Sequence, residues 1–315
     1  IIHLADVVDI IGHSGAFETQ RWDMVKQYLI RHTDKLFDAA CVDAFFHIFS
    51  DNEFADFKDD SFETKLWEIV PREKQTFDWE TCKNIADFFA QIVDYKSSFT
   101  SRHSIGVAEK AAAFAEYIGY DSTQVQKMYL AGALHDIGKM ANPAFFTENQ
   151  SSINPHGQLS FDQSAKIIIN HVNDGVKIAE KAMLPNAIID FIRTHHGRGK
   201  AKYFYNSFKN QYPDREIDEE IFTYPGPNPF SKETAVLMMA DSVEAASRSL
   251  KEHTEENIRA LVDKIIDGQI ADGLMRNAPL TFKDVETIKN VFVEKLKIMY
   301  HTRISYPDLK KGKDS

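Results

Sequence analysis

Apolar residues in this chain recur at intervals of three and four, as in Trp22, Val25 and Leu29, and again in Ile85, Phe88, Phe89 and Ile92 before Tyr95. That is the spacing of helices with one buried side. Start signals precede several such runs. Asp121 with Gln124, Ser160 with Gln163, and Thr281 with Asp284 can each satisfy free amides of a first turn, so helices are predicted to begin near residues 122, 161 and 282. Ser231 and Thr254 read as further N-caps. With only 14 glycines and 10 prolines in 315 residues, both below the usual ~7% and ~5%, turn-rich β architectures lose ground and an all-α fold is expected. One stretch resists this reading. Between His196 and Ser231, through KYFYN and the three prolines of TYPGPNPF, the chain is expected to be irregular, as in a lid or binding loop.

At about 150 residues per domain, the length implies two units, or one helical domain with an extension. The division is placed at residues 1–96 for an N-terminal helical region, 97–305 for the principal domain, and 306–315 for a frayed tail. Asp51 to Asp60 reads as a solvated acidic loop, and His3, His13, His32 and His47 read as structural or surface residues. Thirty-seven basic against 47 acidic side chains give a net charge of −10, which provides no footprint for a long nucleic acid. Cys41 and Cys82 have no CxxC spacing and read as buried thiols in a reducing cytoplasm. No window has the length and apolarity of a membrane span, and Asp6 and Asp9 come too early for a signal peptide. A chain that starts at Ile1 reads as a piece whose membrane contact, if any, lies in an absent upstream region.

The chemistry is carried by a scattered set: His103 in RHS, His135 and Asp136 in ALHDIGK, His171 in INHVNDG, His195 and His196 in RTHHG, and Asp241 in MMADSVEA. Five imidazoles and two carboxylates suit Mn, Fe, Zn or Ni, whereas the cysteine positions exclude a thiolate site. Seven candidates exceed one ion's needs, so the ligand count points to two divalent ions, with the two oxygens of Asp136 as the natural bridge. Lys139, three residues after Asp136, falls on the same helical face, where a cation would meet an anionic substrate atom. Arg198, Lys200 and Lys202 follow the histidine pair, where a second phosphate could dock, and Tyr203 and Tyr205 are candidates for base stacking. Arg248 reads as the partner of Glu244 in an i,i+4 helix pair, or alternatively as a phosphate contact. Asp174 is a candidate acceptor for the His171 ring, or alternatively an ordinary turn acid. His156 reads as structural.

With these residues in view, the stretch from about 97 to 305 resembles the HD superfamily of metal-dependent phosphohydrolases, all-helical domains named after the His-Asp doublet. The run from ENQSSINPHG through HVNDG, DFIRTHHG, YFYNSF, FTYPGPNPFSKETAVLMMADSVEAASRSL and YHTRISYP is similar to the cytoplasmic domain of the seven-transmembrane HD family, the PgpH-type cyclic di-AMP phosphodiesterases. The resemblance implies an HD-domain helical bundle with an N-terminal helical extension. It also implies a binuclear iron or manganese centre on His103, His135, Asp136, His171, His195, His196 and Asp241, and opening of cyclic di-AMP to pApA by a bridging hydroxide, with Asp136 and Lys139 in catalytic roles. A cytoplasmic setting goes with it, within a membrane-anchored protein or free of one, and a homodimer is compatible. The segment VDYKSSFTSRHSIGVAEKAAAFAEYIGYD, around residues 92–121, looks more like the start of an HD-GYP domain, the branch acting on cyclic di-GMP, although RGKAKYFYN stands where a GYP motif would follow the histidine pair. Two further alternatives are a nucleotide-sensing module without catalysis and a single-metal enzyme acting on nucleoside triphosphates or 5′-nucleotides.

Overall fold

The computed structural model describes residues 1–13, 21–49, 68, 76–95, 102–147 and 155–301. It divides into two compact units, Ile1–Thr76 and Phe77–Ser315. Among the described residues there are thirteen α-helices and no β-strand beyond two isolated bridges, as the periodicity predicts. The acidic stretch 51–60 and the tail 306–315 lie outside the described residues.

The first unit is built from α1 (Ile2–His13), α2 (Arg21–His32) and α3 (Ala39–Ile48). Its core joins Leu4 and Val8 of α1, Val25 and Leu29 of α2, Phe37, and Val42 and Phe45 of α3. Asp38 caps α3 through the amides of Ala40 and Cys41. His32 stacks on Tyr28 and bonds its carbonyl at 2.7 Å, a structural role as expected. Both cysteines are free, and they are half-buried rather than fully enclosed.

The second unit begins with α4 (Trp79–Asp94). The sequence groups this helix with the N-terminal region. In the structure it packs into the second core through Ala86 and Ala90, because the small side chains allow close approach. Of the apolar stripe read from the sequence, Phe89 packs against this core, whereas Ile85, Phe88 and Ile92 are 40–59% exposed.

At the centre of this unit stand α5 (His103–Tyr117) and α11 (Lys232–Ser247), each buried around almost its whole circumference. Helices apolar on all sides belong inside a bundle, and the runs AAAFA and TAVLMMA fit that place. Around them lie α6 (Ser122–Leu134), α8 (Phe161–Lys181), α9 (Asn186–Thr194), α12 (Glu255–Ala271) and α13 (Phe282–His301), with a short α7 (Pro143–Thr147). The predicted starts hold: capping boxes at Asp121/Gln124, Ser160/Gln163 and Ser231/Thr234, and a Thr254 cap on α12.

The stretch after His196 departs from expectation. KYFYN opens a regular helix, α10 (Lys202–Gln211), followed by a 3₁₀ turn over Glu219–Phe222. Phe204 and Phe208, one helical turn apart, pack with Phe222 and Ala165; the helix stops at Gln211, two residues before Pro213, and the chain is irregular again from Pro225. The bridge between Lys200 and Thr223 pins the two ends of this excursion together.

Asp284 ties α13 to α11. Its carboxylate accepts Lys232 Nζ at 2.8 Å and the Thr281 amide at 2.9 Å, and the lysine bond and that amide hold its pKa down to about 2 against slight burial. A depressed carboxylate stabilises the fold above its unfolded value near 4, and the contribution is lost as pH falls toward 2. Asp284→Ala is expected to cost about 1 kcal/mol at pH 7, with the difference from wild type closing between about pH 4 and pH 2. Thermal unfolding of both proteins across that range checks it.

Candidate metal centre

Five separate segments bring the site together. His103 opens α5, His135 caps the C-terminus of α6, and Asp136 leads into a 3₁₀ turn over Ile137–Ala141. His171 sits within α8, His195 caps α9 and is followed by His196, and Asp241 lies within α11. All seven side chains predicted from sequence converge. His103 Nε2 is 3.0 Å from Asp241 Oδ1, and His135 Nε2 is 3.2 Å from Asp136 Oδ2. His171 Nε2 and His195 Nε2 are 3.3 and 3.7 Å from Asp136 Oδ1. His196 Nδ1 is 3.7 Å from Asp241 Oδ2. The two oxygens of Asp136 thus face different groups of imidazoles, one toward His103 and His135, the other toward His171, His195 and His196.

The histidine rings are turned by backbone. Nδ1 of His135, His171 and His195 bonds the carbonyl three residues earlier, of Gly132, Ile168 and Ile192, at 2.6–2.7 Å. This places the proton on Nδ1 and leaves Nε2 as a lone-pair donor. It also decides against Asp174 as the acceptor for His171: Asp174 accepts from Asn170 at 2.8 Å while the Ile168 carbonyl orients His171.

Several features fit the site to divalent cations. His135 Nε2 and Asp136 Oδ1 are buried with no hydrogen-bond partner, an expensive arrangement for polar atoms. His171 Nε2 and His195 Nε2 face each other at 3.1 Å, and two lone pairs so placed repel unless both share a proton or a metal ion. Burial opposes the charged form of His135, yet Asp136 and Asp241 push it up to about 10. Burial, followed by the neighbouring imidazoles, holds His196 down. Asp136 is held well below the carboxylate range by Lys139 and His135 although burial works against it. Positive charge is what this pocket demands.

Comparison with known proteins agrees with this geometry. A family model described as HD domain matches residues 100–246, a span that begins just before His103 and ends just after Asp241. Cyclic-di-AMP phosphodiesterase PgpH of Bacillus subtilis (strain 168) is 39% identical over 213 residues, 67% of this chain and 29% of that protein. The PgpH of Listeria monocytogenes serotype 1/2a (strain 10403S) is 39% identical over 214 residues, 68% of this chain and 29% of its own length. The crystal structure of the L. monocytogenes PgpH HD domain in complex with cyclic-di-AMP superimposes with a TM-score of 0.61 at 37% identity, covering 69% of this chain and 99% of that one. The chain belongs to the HD-domain family. It spans under a third of the length of the curated relatives it matches, and none of its described helices is long and apolar enough to cross a membrane.

Around the HD pair, Lys139 Nζ bonds Asp136 Oδ2 and lies 5.8 Å from the Phe146 ring centre. The outlying candidates are engaged elsewhere. Arg198 holds both oxygens of Glu220 at 2.6 and 2.7 Å, Lys200 and Tyr205 meet Glu219, and Lys202 reaches Asp272 at 3.1 Å. The basic run is therefore neutralised in place by acids that the sequence reading did not pair with it. Tyr203 is 75% exposed. Arg248 does pair with Glu244, at 2.8 Å, but Glu244 is wholly buried and also holds Lys110 of α5. The i,i+4 pair is therefore part of an internal ion cluster. His156 bonds the Phe145 carbonyl at 3.0 Å and packs near Phe204.

Sequence reasoning missed Tyr224. Its buried ring lies 4.2 Å from that of His196 and 6.0 Å from that of His171, and its amide bonds Gly199 O at 2.8 Å. The only signal is an aromatic residue inside the proline-rich segment. It also missed Gly138, where an added Cβ would lie 1.8 Å from the His171 carbonyl oxygen and 2.4 Å from the Gly175 amide nitrogen. The turn after the HD pair touches α8 backbone to backbone, and this contact sets Asp136 beside His171. Gly138→Ala is expected to lower stability by at least about 1–3 kcal/mol and to reduce metal retention. Denaturant unfolding with metal analysis of the purified variant checks both.

Proposed function

We propose that this chain is a metal-dependent phosphodiesterase that opens a cyclic dinucleotide, with cyclic di-AMP as substrate and pApA as product, and with manganese or iron as the resident ions. The observation that supports this most is the way Asp136 faces two imidazole groups at once, in an HD domain 37% identical to one whose crystal structure contains cyclic-di-AMP. In this reading His103, His135, Asp136 and Asp241 hold one ion, while Asp136, His171, His195 and His196 hold the other. A bound pair of divalent ions supplies an activated water and neutralises charge in an in-line displacement at phosphorus.

The chain's own groups do the remaining work. The carbonyls of Gly132, Ile168 and Ile192 fix the tautomers, so that the Nε2 lone pairs stay available. Burial of every donor but His196 keeps bulk water from competing for them. Lys139, a quarter exposed on its outer side, is placed to offset charge on a phosphate oxygen in the transition state. Arg198, Lys202, Tyr203 and Tyr205 are proposed at the outer edge of the substrate, where a phosphate would compete with Glu219, Glu220 and Asp272 for the basic side chains.

Incubation with Mn²⁺ or Fe²⁺ and, separately, cyclic di-AMP, cyclic di-GMP and dATP tests the reading. A linear dinucleotide from cyclic di-AMP, abolished by chelation and restored by metal, is the expected result. Preferential cleavage of cyclic di-GMP would move the chain to the HD-GYP activity suggested by residues 92–121, and saturable binding without product would make it a sensor. Lys139→Met is expected to reduce kcat of the metal-loaded protein by about 10²–10³-fold and to lower the melting temperature of the metal-free protein, where Asp136 loses its bonded cation, as steady-state kinetics and thermal unfolding would show.

A further inference from the structure

His135, His171 and His195 each lie at or beyond the third turn of a helix, so a carbonyl of the preceding turn is available to hold the ring. His103 has no such turn behind it. It is the first residue of α5, its N-cap Arg102 makes no side-chain cap bond, and among the described residues no carbonyl bonds its ring. Yet its Nε2 must meet Asp241 at 3.0 Å for the donor set to close.

What meets the first turn of α5 is Asp94, the last residue of α4. Its Oδ2 accepts the Ser104 amide at 2.9 Å and its Oδ1 accepts the Ser104 hydroxyl at 3.3 Å. Asp94 is 4% exposed and Ser104 is fully buried, so water is a poor substitute for either bond. The carboxylate takes the place of a missing N-cap, satisfying an amide that a helix start leaves open. It does so from a different helix, one residue away from His103. Asp94 also lies before residue 100, where the family match begins.

We propose that Asp94 is a positioning residue for His103: by clamping the first turn of α5 from α4, it fixes the direction in which the imidazole presents Nε2 to Asp241 and to the ion they share. This rests on the metal-centre reading above. The mechanism is geometric. A helix start without a cap frays, and a ring carried on a fraying turn sweeps through orientations of which few point at Asp241. With the turn held by two bonds, the ring has one useful direction before any ion arrives.

The test uses the full chain as wild type, Asp94→Ala and Asp94→Asn. Asparagine keeps an oxygen that can accept the Ser104 amide. Mn²⁺ titration with a competing chelator should show that Asp94→Ala weakens one of two equivalents by about 10–100-fold and leaves the other unchanged, and that Asp94→Asn recovers most of the loss. Side-chain NMR of the metal-free proteins supplies a second readout. The His103 imidazole signals should broaden or shift in Asp94→Ala, while those of His135, His171 and His195 stay in place. An Asp94→Ala protein that melts lower but keeps both affinities and the His103 signals would overturn the proposal, as would an Asp94→Asn protein no better than alanine by both measures. If alanine does not yield folded protein, the asparagine variant and the wild type decide: Asp94→Asn must keep both the weaker equivalent and the His103 signals. Failure of the wild type to bind any Mn²⁺ would remove the metal reading alone, since the metal-free NMR comparison would still report whether Asp94 orients His103.

Discussion

A carboxylate with 2% of its surface exposed, set among imidazoles on both sides, is the constraint on which the rest of this molecule depends. An isolated charge in such a place costs several kcal/mol, and Asp136 avoids that only because cationic partners close around it. In the polypeptide alone Lys139 and His135 hold its pKa well below the carboxylate range against the cost of burial. The elements are then placed by necessity. α6 must end where His135 and Asp136 turn outward, α8 must pass close enough to offer His171, α9 must stop at His195, and α11 must bring Asp241 up to His103. A bundle in which two central helices are enclosed on nearly every side gives the rigidity for such convergence, and small residues bring the backbones close enough.

Much of this was legible in the residues themselves. The helix starts could be read because capping chemistry is local, needing only a side chain and an amide three positions on. The seven donors could be read because histidine and aspartate in doublets, far apart along the chain and without cysteine, have few other uses. What escaped is nonlocal. The exposure of Ile85, Phe88 and Ile92 follows from which face of α4 meets the bundle, and periodicity reports that a face exists without saying which surface covers it. KYFYN was overshadowed by nearby prolines, although Phe204 and Phe208 stand one turn apart. The pairing of Arg198 with Glu220 and of Lys202 with Asp272 joins residues 22 and 70 positions apart, and no spacing rule anticipates it. Glu244 showed only its i,i+4 partner, because Lys110 is 134 residues distant.

The loop after the histidine pair shows how a proline-rich segment becomes part of a site without being a regular element. The bridge of Lys200 to Thr223 and the bond from Tyr224 to Gly199 draw the segment back across the chain, and Tyr224 then lies over His196. That ring is the most exposed of the five imidazoles, so an aromatic wall at this point limits the directions in which it can turn. Rigidity at the outer donor comes from a neighbouring loop, whereas at His135 and His195 it comes from the helix that carries them.

The helix that precedes the matched HD region has a practical meaning. Ala86 and Ala90 fill the same core as Val107, Ala111 and Phe114, so the physical edge of the folded body lies near residue 77 and not where family likeness first becomes recognisable. Trimming the protein to the recognisable part would strip one wall from the interior and lay bare an oily strip along α5 and α6, leaving a sticky remnant whose failure to bind ions would say nothing about the intact molecule.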